Sequence, residues 1–135
     1  SKFNVDCEVI SLRSVRPLDT ALVFSSVKKT KRAVFWDIGH LEFGISGEIS
    51  RLLYGSLFST LKEPILTFGL PNEPTPSSPF LAAHHYVDIL NALLQINRHF
   101  SLKLSENNIK DLYRQNTSGK NLFRDQPDIG EVGPF

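Results

Sequence analysis

The sequence predicts an α/β fold built on a parallel sheet covered on both faces. Short runs rich in β-branched and aromatic residues alternate with longer stretches of helical periodicity. Glycine and proline punctuate the boundaries between them. The chain has 135 residues, 41% of them apolar, which suits one domain with a single core. The order β-α-β-α-β-α then implies right-handed crossovers between parallel strands.

Residues 5–12 are short, apolar and β-branched, as a buried parallel strand requires. The run closes on Arg13-Ser14-Val15-Arg16-Pro17-Leu18-Asp19. Pro17 ends the strand, and Asp19 is placed to cap a helix over residues 20–29. Val23, Phe24 and Val27 form the inward face of that helix. Lys28, Lys29, Lys31 and Arg32 crowd its C-terminal end, where the helix dipole and solvent account for them. Residues 33–38 are a second strand, and Gly39 and Gly44 mark the loop after it. A helix over residues 46–58 follows, capped by Ser46, with Ile45, Ile49, Leu52, Leu53 and Leu57 inward. Glu48 sits in its first turn, on the favourable side of the dipole. Residues 64–68 are a third strand, closed by Gly69. Pro71, Pro74, Pro76 and Pro79 then hold the chain extended. A last amphipathic helix spans residues 81–99, with Tyr86, Ile89, Leu90, Leu93 and Ile96 inward. Residues 1–100 are thus read as the domain, and residues 101–135 as an extension. That extension holds a short helix at residues 106–115 and a polar tail at residues 125–135, expected to lie over the surface or to be disordered.

Net charge is +1, from 15 basic and 14 acidic residues, which argues against a dedicated nucleic-acid or membrane-surface binder. A single cysteine, Cys7, excludes an internal disulfide and fits a reducing compartment. No apolar run approaches the roughly 20 residues of a membrane span, and no signal-peptide pattern opens the chain. The chain contains no Met, and its first residues read as the end of something earlier, so a fragment or processed piece is expected.

Few residues carry chemistry. His84 and His85 are adjacent on a helix, point apart and do not share a metal; partial exposure at a helix start is expected of them. Gly44-Ile45-Ser46-Gly47 lacks the spacing of a nucleophile elbow, and Gly39, Gly44 and Gly47 do not make a phosphate-binding loop. Asn116-Thr117-Ser118 fits the glycosylation acceptor pattern, which is common by chance. The strongest candidate is His40, in Asp37-Ile38-Gly39-His40 at the C-terminal end of a strand, where open α/β sheets place their sites. No second catalytic group is identifiable beside it, and Glu42 has no nameable partner, so a loop histidine without a catalytic role is the favoured reading.

The stretch from Val9 to Asp19 resembles the Val-Ile-Asp-Leu-Arg-Thr-Ile-x-Pro-Leu-Asp segment of transketolase C-terminal domains. It is most similar to the form found in beta subunits of thiamine-diphosphate-dependent 2-oxo acid dehydrogenases, such as pyruvate dehydrogenase. Ser26-Val27-Lys28-Lys29-Thr30-Lys31-Arg32 resembles their Ser-Val-Lys-Lys-Thr-Gly-Arg. Gly44, Gly47 and Glu48 match part of a Gly-Gly-x-Gly-Ala-Glu-Ile region. Pro64-Ile65-Leu66 and Pro74-Thr75-Pro76 match a following strand and loop. The similarity covers residues 3–98 in matching order.

The resemblance implies a three-layer α/β/α domain, N-terminally truncated, at the end of a beta subunit. It implies that thiamine diphosphate and magnesium belong to the intact enzyme and are not bound by this piece. It also implies an alpha subunit and a second beta subunit as partners, docking to an acyltransferase core, and a bacterial cytoplasmic or mitochondrial matrix location. The family's thiamine-activating glutamate has no counterpart here, and Arg13 and Arg16 become turn and interface residues. The alternatives are another transketolase-like ketol transferase, or a non-catalytic interaction domain of the same fold. Ser11 replaces a usual acid, and Ser14 a usual Thr. Family domains begin with a further strand, central in the sheet, before residue 1. Its loss predicts unpaired backbone and apolar surface, relieved by self-association or by a rearranged sheet.

Overall fold

The computed structural model describes residues 3, 5–78, 81 and 85–117. His84, Ser118 and residues 125–135 lie outside the described residues. The elements are α1 Thr20–Thr30, β1 Val34–His40, α2 Ile45–Leu57, β2 Leu66–Leu70, α3 Ile89–His99 and α4 Glu106–Thr117. β1 and β2 pair in parallel, with Val34 opposite Leu66 and Trp36 opposite Phe68.

The layers follow from the alternation of side chains across the sheet. Phe35 packs on one face against a core of Val23, Val27, Ile49, Leu53 and Leu57, contributed by α1 and α2. Leu12, Leu18, Leu61 and Ile65 close around it. Leu53 is fully enclosed, and burying a leucine contributes about 1.5–3 kcal/mol. On the other face the Trp36 and Phe68 rings stand 5.4 Å apart, and α3 lies over β2. Helices therefore sit on both faces of a parallel sheet, the α/β arrangement expected.

Asp19 caps α1 as predicted, its Oδ1 accepting from the Leu22 N–H at 3.0 Å. Lys31 ends the helix in the left-handed conformation, its N–H donating to the Val27 carbonyl. The basic cluster there is partly paired. Lys29 bonds Glu8, and Arg32 holds Glu63 through two bonds of 2.9 and 3.0 Å.

Several expectations are corrected. Residues 5–12 are not a strand. A strand exists through a ladder, and β1 pairs only with β2 among the described residues. The segment is fastened instead by side chains, with Glu8 on Ser26 and Lys29 and Leu12 against the core. Val9 is left 92% exposed. No third strand is present in the described sheet, so the rearranged-sheet alternative finds no support there.

β1 runs on through Gly39 and His40, which the sequence placed in a loop. β2 lies two residues further along than predicted, with Gly69 inside it. A Cβ on Gly69 would come within 2.9 Å of the Gly39 carbonyl, so glycine here serves close strand approach rather than a turn. Gly44, not Ser46, is the N-cap of α2. Ser46 is buried on the inner face, while Ile45 points out.

The last predicted helix is interrupted: Leu81 and His85 are helical, and α3 begins only at Ile89. Residues 86–88 are not helical, and Asp88 caps α3 by accepting from the Asn91 N–H. Its buried positions are Ala92 and Asn97, whereas Ile89 and Leu93 are exposed. His85 is buried, at 7%, rather than partly exposed; its Nε2 lies 3.4 Å from the Thr75 hydroxyl. The helix expected in the extension is present as α4, and it packs on α3.

Candidate functional site

The C-terminal ends of β1 and β2 send the chain to helices on opposite faces of the sheet. This is the geometry in which α/β sheets open a crevice. β1 is irregular there. From Trp36 to His40 is four residues, opposite two from Phe68 to Leu70. Such a bulge re-aims side chains.

Asp37 is turned toward the start of α2. Its Oδ1 accepts from the Gly39 N–H at 2.9 Å and its Oδ2 from the Ser46 N–H at 3.3 Å. Because Gly44 brings no side-chain cap, the strand carboxylate supplies both the acceptor and the negative charge that a helix N-terminus favours. Gly44 is needed for this approach: a Cβ there would meet the His40 carbonyl at 2.4 Å and Asp37 Oδ2 at 3.0 Å.

His40 Nδ1 lies 2.6 Å from the Pro71 carbonyl oxygen. A carbonyl only accepts, so Nδ1 carries the proton and donates. Two further bonds join the same loops: the Leu41 N–H donates to the Leu70 carbonyl at 2.9 Å, and Asn72 Nδ2 donates to Glu42 Oε2 at 2.7 Å. His40 is thus one tooth of a clasp between the loops that follow β1 and β2. The acids near it in sequence are engaged elsewhere, Asp37 on α2 and Glu42 on Asn72. His40 is therefore not assembled with either of them into a proton-transfer pair.

On the α3 face, a shallow cleft of about 490 Å³ lies between Leu41, Phe68, Gly69, Tyr86, Asp88 and Gln95. Among the described residues Asp88 is its one charged wall residue. Among the described residues no group of three or more His, Cys, Asp or Glu is arranged to hold a metal ion. No described helix is long and apolar enough to cross a membrane.

At the opposite end of the sheet, the Arg32 guanidinium lies 5.6 Å from the Phe100 ring centre, and His99 Nε2 lies 2.7 Å from the Pro64 carbonyl. The Arg32 pairing holds the Glu63 carboxyl below its ordinary value. Asn97 escaped sequence reasoning altogether. Its Nδ2 donates to the Leu104 carbonyl and its Oδ1 accepts from the Leu104 N–H, both at 3.0 Å. The available signal was an amide side chain within an otherwise apolar helix face.

Comparison with known proteins agrees with this architecture. Residues 1–89 match the family model described as "Transketolase, C-terminal domain". The mitochondrial pyruvate dehydrogenase E1 component subunit beta of Drosophila melanogaster is 35% identical over 100 residues, covering 71% of this chain and 27% of that protein. The corresponding subunit of Rickettsia felis is 38% identical over 73 residues, covering 54% and 22%. That of Rattus norvegicus is 30% identical over 99 residues, covering 73% and 28%. The chain spans about a quarter of the length of these curated relatives. With two-thirds of its length matched to one domain model and helices layered on both faces of a parallel sheet, the chain belongs to the transketolase C-terminal domain family.

Proposed function

We propose that this chain is the C-terminal part of the beta subunit of a thiamine-diphosphate-dependent 2-oxo acid dehydrogenase, which oxidatively decarboxylates pyruvate or a related 2-oxo acid. The observation that carries the reading is the relatives' shared name, pyruvate dehydrogenase E1 component subunit beta, in insect, bacterium and mammal. Residues 1–100 are the domain and residues 101–135 an extension of it. The work of this part is association with an alpha subunit and a second beta subunit, and docking of the complex. Its compartment is the mitochondrial matrix or a bacterial cytoplasm.

Thiamine diphosphate and its magnesium do not fit the described residues. Among the described residues the cleft offers a diphosphate no cation, and the Asp88 carboxylate repels it. His40 is a structural clasp in this reading, and no catalytic step runs through the chain. The edge of β1 that no described strand pairs, and its apolar face, where Trp36 is 49% exposed, are surfaces that association covers. The isolated chain self-associates through them.

The gene supplies the decisive test. A pyrimidine-binding domain is expected upstream of these residues, and its absence overturns the enzyme reading. Calorimetric titration of the chain with thiamine diphosphate and magnesium should give no binding heat. Tight binding contradicts the assignment. Sedimentation should show concentration-dependent association that Val34→Lys weakens.

A further inference from the structure

We propose that residues 38–43, the bulge and loop after β1, form a docking surface for a protein that presents an apolar socket rimmed by lysine or arginine. Ile38 is thrust out by the bulge and is 91% exposed, Phe43 is fully exposed, and Leu41 is partly so. Phe43 also sits at φ 59, a left-handed conformation that a bulky residue rarely adopts. An exposed aromatic on an unfavourable backbone gains nothing within this chain; seated in a pocket it becomes an anchor.

The loop is held in shape. His40 on Pro71, Leu41 on Leu70 and Glu42 on Asn72 pin it to its neighbour. The apolar groups are therefore presented from a fixed stage, so little ordering entropy is lost on binding.

Charge identifies the partner. Residues 33–50 and 64–97 supply both loops at this end of the sheet. They contain Asp37, Glu42, Glu48, Glu73 and Asp88 and not one Lys or Arg, in a chain whose net charge is +1. Asp37 is turned onto α2, and Glu48 is paired with Arg51. Glu42 and Glu73 remain as exposed acids on these loops. A surface of Ile38, Leu41 and Phe43 with acids around it complements an apolar socket with a basic rim. A symmetric contact with a second copy would bring the same acids together, and an anionic membrane would repel them.

The experiment places the photoreactive residue benzoylphenylalanine at position 43 in the natural full-length protein, expressed in its source cells. Cross-linked peptides are identified by mass spectrometry. The expected product joins position 43 to an apolar residue of a different protein, with Lys or Arg around it. Its yield should fall about tenfold with Ile38→Ser, the size of effect a lost anchor gives. It should fall several-fold with Glu73→Lys, which leaves the Glu42–Asn72 bond in place, and with added salt. Circular dichroism confirms that each variant is folded. Cross-links confined to second copies or lipids overturn the proposal. So does a yield no higher than that of the same probe at Ser59, beyond the far end of α2. A yield indifferent to Glu73→Lys overturns the basic rim.

Discussion

At the residue scale, the sheet depends on glycines whose roles differ from those their sequence context suggests. Gly69 looked like a strand terminator and is a contact point between strands. Gly69→Ala should lower stability by about 1–3 kcal/mol, the range for forcing an extra methyl into a packed site, because backbone at 2.9 Å cannot yield as a side chain can. The urea midpoint reads it, and an unchanged midpoint refutes the close approach. Asp37, in the sequence only a neighbour of the His40 candidate, proves to be a cap delivered from another element. Asp37→Ala should cost about 1 kcal/mol, as loss of an N-cap does, with amide exchange accelerating in the first turn of α2. His40→Phe should leave that turn untouched, which separates the cap from the clasp. None of this was legible in advance. The bulge that turns Asp37 onto α2 arises from register against β2, and register belongs to two segments at once.

At the element scale, α1 was fully readable and α3 was not. Asp19 announces α1 through a local bond three residues on, and local bonds leave a sequence signature. The start of α3 is also capped locally, by Asp88. The apolar run ahead of it continues the helical pattern, and the break at residues 86–88 has no proline or glycine to mark it. The inward face was misphased because α3 meets β2 on one side and α4 on another. α4 is joined to α3 by Asn97 and by the Arg98–Glu106 pair. Asn97→Ala would leave the Leu104 N–H and carbonyl without that partner, a loss of about 1–3 kcal/mol for a buried polar contact. The expected outcome is local: amides of α4 exchange faster while those of α1 and α2 keep their protection. Equal acceleration everywhere would mean that α4 is part of the central cooperative unit.

At the scale of the whole molecule, the layering was legible because it follows from the alternation of apolar strands and amphipathic helices. The number of paired strands was not, because a ladder needs a neighbour as well as a propensity. Residues 5–12 have the composition of a strand and are fastened instead by Glu8. Among the described residues that bond is one of three ion pairs that join separate segments or elements: Glu8–Lys29, Arg32–Glu63 and Arg98–Glu106. In each the basic partner's hydrogen bond holds the carboxyl below its ordinary value of 4.5. A carboxyl whose folded value is depressed adds stability above its unfolded value and loses it as pH falls through the folded one. The contribution should therefore be level near neutrality and decline as pH drops below about 4.5. All three pairs are solvent-accessible, so the decline is modest and shrinks in added salt. Urea midpoints at pH 7, 4.5 and 3 measure it. Glu63→Gln should flatten the curve more than a substitution at Glu73, which lies outside these pairs. A midpoint that rises on acidification, or a slope that Glu63→Gln leaves unchanged, would show that these pairs do not tie the elements together.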